Sequence, residues 1–234
     1  MKFTINEKIF EKWPELKIGV IIARDIDNQG HNIDIMKKIE NISGEIAITY
    51  DRESLALQPK IAAWRKTFSE FGAKPKEHRS SVENLFKMVL NGIKLNHITT
   101  LVDIYNFISL KYMLPVGGED LDMIEGDIEL ALAGPDEKEV RLLGDKEGCP
   151  PHPGEIIYKD NASAICRRFN WREADRTKLT GKTRNCILVI ESLPPSGIEE
   201  LNAAAGELAS HIQVNCGGNQ AVFVLSKENS SIAF

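Results

Sequence analysis

No long apolar run occurs anywhere in the 234 residues: runs such as Ile18 to Ala23 and Ile187 to Ile190 fall far short of the roughly 20 apolar residues that a bilayer-spanning helix needs. No membrane span is expected. A secretion signal is lacking too, because Lys2, Glu7 and Lys8 interrupt the apolar residues of the first ten positions. A cytoplasmic location follows as an expectation. Cysteine is sparse: Cys149, Cys166, Cys186 and Cys216 form no CxxC pair, so they read as free thiols rather than as a metal or disulfide framework. The five histidines, His31, His78, His97, His152 and His211, are scattered without a partner at metal spacing and read as surface or loop residues. G-x-S-x-G, H-x-x-x-H and P-loop motifs are all missing, which removes the usual nucleophile, metal and phosphate signatures. No metal and no cofactor is expected. Positive charge is also in deficit, 29 Lys and Arg against 34 Asp and Glu for a net charge of -5, so any nucleic-acid contact must be local.

What is present is the composition of a globular protein, 42% hydrophobic and 27% charged, enough for one large core. Glu7 to Trp13 reads as a short helix stopped by Pro14, and the β-branched run Ile18 to Ile22 as a buried central strand. Ile33, Met36, Ile39 and Ile42 recur at three-residue spacing, which predicts a helix from about 32 to 48 packed on that strand. Pro59 opens a further helix with Ile61, Trp64, Phe68 and Phe71 on one face and Gly72 as its stop. Ser80 and Glu83 fit a capping box ahead of Val82, Leu85, Val89 and Leu90. After Gly126 short strand-like runs take over at 128–133, 140–143, 155–158, 162–165 and 186–191, followed by a helix over 198–214 and a strand over 221–225. With no repeat or long linker, residues 1–234 read as a single α+β domain.

Three stretches, taken in order, resemble one family: Trp64-Arg65 with Phe71-Gly72-Ala73-Lys74-Pro75; Leu101-Val102-Asp103-Ile104-Tyr105-Asn106 through Pro115; and Asp120-Leu121-Asp122 with Ile124-Glu125-Gly126-Asp127-Ile128. Thr183-Arg184-Asn185 leading into Ile187 to Glu191 adds a fourth. Together they are similar to the B3/B4 tRNA-editing module of the phenylalanyl-tRNA synthetase beta subunit. The resemblance covers about residues 59–193, with an N-terminal strand and helix and a C-terminal helix and strand completing the domain. The run Asn170-Trp171-Arg172-Glu173-Ala174-Asp175 resembles free-standing members, so a stand-alone protein is expected. That resemblance implies an α+β fold with a mixed, partly barrel-like sheet and helices packed on one side. It also implies trans-editing, the hydrolysis of a mischarged aminoacyl-tRNA, with the tRNA acceptor end and an amino acid or aminoacyl ester as partners. The alternative is a tRNA- or amino-acid-binding module without activity. One departure bears on the choice: the synthetase module usually carries a histidine just after the proline of the second stretch, and Gly117 stands there in this chain.

An aminoacyl ester is easier to hydrolyse than an amide, so a site need only position water, hold the ammonium and donate to the oxyanion. Asp175, Glu119 and Glu173 are the candidate carboxylates. Asp175 and Glu119 are assigned to catalysis, the first by an ungapped count back from Thr183. Gly117 and Gly118 fit either close backbone approach to a ligand, with amides as oxyanion donors, or a plain turn. Asn170, Trp171 and Glu173 join them as substrate-binding candidates, although Trp171 also fits a core position. Trp64 reads as core, and Asp103 and Asn106 as backbone-capping residues. Arg167, Arg168, Arg172, Arg176, Lys178, Lys182 and Arg184 against only Glu173 and Asp175 form the candidate RNA-binding patch. Arg65, Lys66, Lys74, Lys76, His78 and Arg79 form a smaller second set; a solvated surface is the bland reading of both.

Overall fold

The computed structural model describes residues 1–234. Along the chain the elements are β1 Lys2–Ile5, α1 Glu7–Lys12, β2 Lys17–Arg24, α2 Ile33–Thr49, α3 Pro59–Glu70, α4 Ser81–Leu90, α5 Thr100–Tyr112, β3 Val116–Asp120, β4 Ile128–Leu132, β5 Ile156–Lys159, β6 Ala164–Arg167, β7 Arg172–Glu173, β8 Cys186–Ser192, α6 Ile198–Cys216, β9 Asn219–Leu225 and β10 Ser231–Ala233. The class is α+β. The strands form two sheets, with orders β10-β1-β4-β5-β6-β7 and β3-β8-β2-β9, and neither closes on itself. In the first sheet β1 runs parallel to β4 while the other pairs are antiparallel; the second is antiparallel throughout. No helix is long and apolar enough to cross a membrane.

Strand β2 is central because Ile18, Val20, Ile21 and Ile22 suit a pleat buried on both faces, and it pairs with β8 on one side and β9 on the other. Gly19 lets α6 lie close on one of those faces: a Cβ there would meet Leu201 Cδ1 at 3.2 Å. The opposite face looks toward the other sheet, so no room is left for α2. That helix packs on α5 and α4 instead of on β2, contrary to the sequence expectation.

Ser80 caps α4, accepting the Glu83 N–H at 3.4 Å. Helix α5 has no assignment in the sequence reading because polar and apolar residues are interspersed on a helix buried on nearly every side, so no single apolar face marks it. Thr99 starts it and Met113, with φ 51°, ends it. Two further departures concern strands. Residues 140–143 make only the isolated bridges Val140 to Cys149 and Leu142 to Ala174, since Pro150 and Pro151 cannot donate to a ladder. Gly117 and Gly118 lie inside β3 rather than in a turn. Gly118 needs to be glycine there, for its Cβ would fall 2.2 Å from Leu188 Cδ2 on the neighbouring strand.

Candidate functional site

A cavity of about 320 Å³ separates the two sheets. Strand alternation builds its walls. On the four-stranded sheet Gly117 and Glu119 of β3 and Ile187, Val189 and Glu191 of β8 face inward. On the six-stranded sheet the register places Tyr158, Cys166 and Glu173 in one row across β5, β6 and β7. Helix α4 closes one side with Ser81 and Asn84, and α5 contributes Tyr105 and Asn106 together with Ser109 one turn further on.

Three carboxylates therefore converge on the cavity, Glu119 and Glu191 buried and Glu173 partly so. Glu191, 1% exposed, accepts from the Tyr158 hydroxyl at 2.8 Å and from Asn170 Nδ2 at 3.0 Å. Burial pushes it up to about 8. Glu173 accepts one hydrogen bond, from the Gly118 N–H at 3.2 Å, and burial pushes it up to about 7. Glu119, 7% exposed, is driven well above the usual carboxylate range by burial and then by the Glu173 charge. Its Oε2 is buried without a hydrogen-bond partner, and so are Asn170 Oδ1 and Ser81 Oγ. Unpaired buried polar groups cost on the order of 1–3 kcal/mol each, so the cavity is set up for a polar ligand. Arg172 is the one cationic side chain in the lining, and it is already spent on Asp145 at 2.8 Å and on the Leu143 carbonyl.

The turn between β6 and β7 carries Asn170 and Trp171 to the cavity on strained backbone. Arg168 and Phe169 are both left-handed, with φ 50° and 64°, a conformation costly for side chains with a Cβ. Packing holds it: Phe169 is fully buried, edge-on to Trp64 at 5.1 Å and Trp13 at 6.3 Å. Arg168 stacks over the Trp171 ring at 4.4 Å, and His78 meets the same ring at 4.6 Å. Trp171 is thus half-buried at the rim, both packed and facing the hollow. Cys166 contributes no nucleophile, because burial and then the Glu173 charge keep its thiol protonated. Tyr105 is likewise held as a protonated phenol by burial and Glu173, available as a donor.

Of the residues singled out from sequence, Gly117, Gly118, Glu119, Asn170, Trp171, Arg172 and Glu173 line this one cavity. Asp175 does not. Beyond the two residues of β7 the chain leaves the sheet, and Asp175 is bound by Lys178 at 2.7 Å and by Arg141. The Lys178 bond and the Arg141 charge hold it below the usual carboxylate range. The Gly118 amide is given to Glu173, so it is no oxyanion donor. Most of the cationic stretch is paired within the fold. Arg167 is 2% exposed and forms a two-bond pair with Glu155 at 2.7 and 2.8 Å. Arg168 reaches Glu155, Arg172 Asp145, Arg176 Asp160 and Lys178 Asp175. Only Lys182 and Arg184 are exposed without an ion pair. Glu155, Asp145 and Asp160 come from other parts of the chain, so a count of charges along one segment does not show these pairs.

Tyr105, Asn106, Tyr158, Cys166 and Glu191 were not picked out as site residues. Helix α5 had a signal: Tyr105, Asn106 and Ser109 are polar and cluster on one side of a helix that also carries Thr100, Asp103 and Lys111. Asp103 does cap, accepting the Ile98 N–H at 3.2 Å, and it also binds His97 Nδ1 at 2.5 Å. None of the five histidines lines the cavity, although His211 sits in α6 beside Glu207 rather than in a loop.

The model of the B3/4 domain matches residues 63–212. The chain belongs to the B3/4 domain family. Every cavity-lining residue except Phe3 falls inside the matched span, so the hollow is part of the B3/4 unit rather than of the flanking segments. A phenylalanine--tRNA ligase beta subunit from Fusobacterium nucleatum is 27% identical over 120 residues, 51% of this chain and 15% of that protein. An N-terminal fragment of the phenylalanyl-tRNA synthetase beta-subunit from Pyrococcus horikoshii aligns with a TM-score of 0.44 at 12% identity, covering 93% of this chain and 49% of the fragment. The B3/4 chain thus spans less than half the length of either relative.

Proposed function

We propose that this B3/4 chain takes the aminoacyl end of a mischarged tRNA into the cavity and hydrolyses its ester. One observation carries the reading: buried polar atoms without partners, Glu119 Oε2 and Asn170 Oδ1, share one cavity with the Glu173 carboxylate. An α-ammonium brings three N–H donors to such a place. Its charge also lowers the pKa of Glu119, so that ligand and carboxylate ionise each other's site. The match to a tRNA ligase beta subunit supports an aminoacyl-tRNA as the source of that ammonium.

In the reaction a water oxygen attacks the ester carbonyl carbon while Glu173 takes the water's proton. Its pKa of about 7 suits a general base at neutral pH. The Tyr105 hydroxyl donates to the developing oxyanion. The tetrahedral species then collapses, the carbon–oxygen bond to the ribose breaks, and the ribose oxygen takes the proton back from Glu173. Incubation with a panel of mischarged tRNAs tests this: deacylation of at least one, lost in Glu173→Gln, is expected. Absence of turnover with every aminoacyl group overturns it.

A second reading, binding without turnover, is favoured by the lack of any imidazole in the cavity. Saturable binding of charged tRNA or free amino acid, with no hydrolysis, selects it.

A further inference from the structure

Outside the cavity, charge of one sign collects on the face made by α3, the 72–80 loop and α4. Residues 65–87 contain six Lys and Arg against three Glu, in a chain whose net charge is -5. Glu83 is 1% exposed and takes Arg65 Nη1 at 2.7 Å, while Arg79 Nε stands 3.8 Å away without a hydrogen bond. Lys87 feels the same crowding, its pKa lowered by burial and by Arg79. One buried acid is thus shared among several cations. Beside it an open groove of about 700 Å³ is lined by Arg65, Lys66, Lys74 and Lys76, with a single hydrophobic residue among its nine. Lys76 makes no ion pair, and the exposed pairs Lys74–Glu77 at 3.2 Å and Lys66–Glu70 at 3.7 Å are of the kind that water and salt exchange readily.

This face adjoins the cavity. Glu83 and Lys87 lie on one side of α4, while Ser81 and Asn84 on its other side line the hollow. The loop is tied to the rim by the His78 ring on Trp171 and by the Ser81 N–H to the Asn170 carbonyl at 3.0 Å. We infer that the α3–α4 groove, with Lys74 and Lys76 at its edge, binds the sugar-phosphate backbone of the RNA whose aminoacylated end enters the cavity. The inference rests on the proposed function for the identity of the RNA. It is preferred to the 167–184 segment, where Arg167, Arg168, Arg172 and Arg176 are paired internally. Phosphates of a helical stem suit an open, polar, cationic groove because their recognition requires charge and little shape.

The test measures binding of uncharged tRNA across a salt series, which reads the groove independently of turnover. Lys74→Glu with Lys76→Glu is expected to weaken binding at least 10-fold and to flatten the slope of log K against log salt by about 2, one unit per phosphate lost. Lys182→Glu with Arg184→Glu is expected to stay within about twofold of the parent. Both pairs are exposed, so folding is unaffected. Equal affinity of the Lys74/Lys76 variant and the parent, or a larger loss in the Lys182/Arg184 variant, overturns the groove. A parent that deacylates a mischarged tRNA while the Lys74/Lys76 variant keeps its KM leaves the cavity reading intact and removes only this one.

Discussion

Glu173 occupies the space that a side chain at residue 117 would need: a Cβ on Gly117 would lie 2.9 Å from Glu173 Oε1, the oxygen that accepts the Gly118 N–H. Carboxylate and glycine are therefore interdependent. The missing side chain at 117, a departure from the synthetase pattern, goes with an acidic group delivered to the same spot from β7.

Gly117→Ala is expected to push the Glu173 carboxylate off the Gly118 amide and to reduce turnover about 10-fold or more with only a small loss of stability, because a side-chain end can move. Gly118→Ala meets Leu188 Cδ2 at 2.2 Å and the Ile187 carbonyl at 2.8 Å, which cannot both yield. It is expected to cost about 3 kcal/mol. Thermal unfolding of the two variants side by side checks the contrast.

Stability should depend on pH through Glu173. A carboxyl raised in the folded state favours folding while protonated; that contribution is complete below its ordinary value of 4.5 and is lost as pH climbs through about 7. Glu173→Gln keeps an oxygen for the Gly118 amide and removes the titration. Relative to the parent, the variant is expected to gain on the order of 2 kcal/mol between pH 5 and pH 8 in urea midpoints converted to free energy. A difference independent of pH would remove the argument.

For turnover, kcat/KM of the parent is expected to rise with pH through about 7 and then level as Glu173 of the free protein becomes ionised. Glu173→Gln should lower kcat by about 100-fold or more and erase that limb while binding persists.

Arg167→Ala strands Glu155 in the interior. Burial works against the charge of Glu155, yet Arg167 and Arg168 hold it below the usual carboxylate range. Loss of the two-bond pair is expected to cost about 3–5 kcal/mol. Arg184→Ala at the surface should change stability by less than about 0.5 kcal/mol. Chemical denaturation distinguishes a structural arginine from an exposed one.

Asp175→Ala is expected to leave kcat and KM within about twofold of the parent, since its partners Lys178 and Arg141 lie outside the cavity lining. A collapse of kcat in this variant, with the fold intact, would restore Asp175 to the site.

Helices with one apolar face were legible from periodicity: Ile61, Trp64 and Phe68 are all buried on α3, and the Ser80 cap stands where the S-x-x-E pattern puts it. Helix α5 was not, because a segment buried all round shows no face. Gly117 and Glu119 from one sheet and Glu173 from the other line the same hollow, a meeting that no motif in the linear sequence specifies.

What the chain by itself determined was local: capping, periodicity, the buried β2 run and a set of polar residues worth testing. Pairing of charges and the inward or outward aim of each strand residue were decided only in three dimensions. Glu155 neutralises Arg167 and Asp160 neutralises Arg176 across 12 and 16 residues of sequence, and no linear count reveals such partners. Strand alternation likewise turns on register, so Glu173 enters the cavity while Asp175, two residues on, is already beyond the end of β7. Electrostatic energy depends on distance and burial, and both are properties of the folded chain.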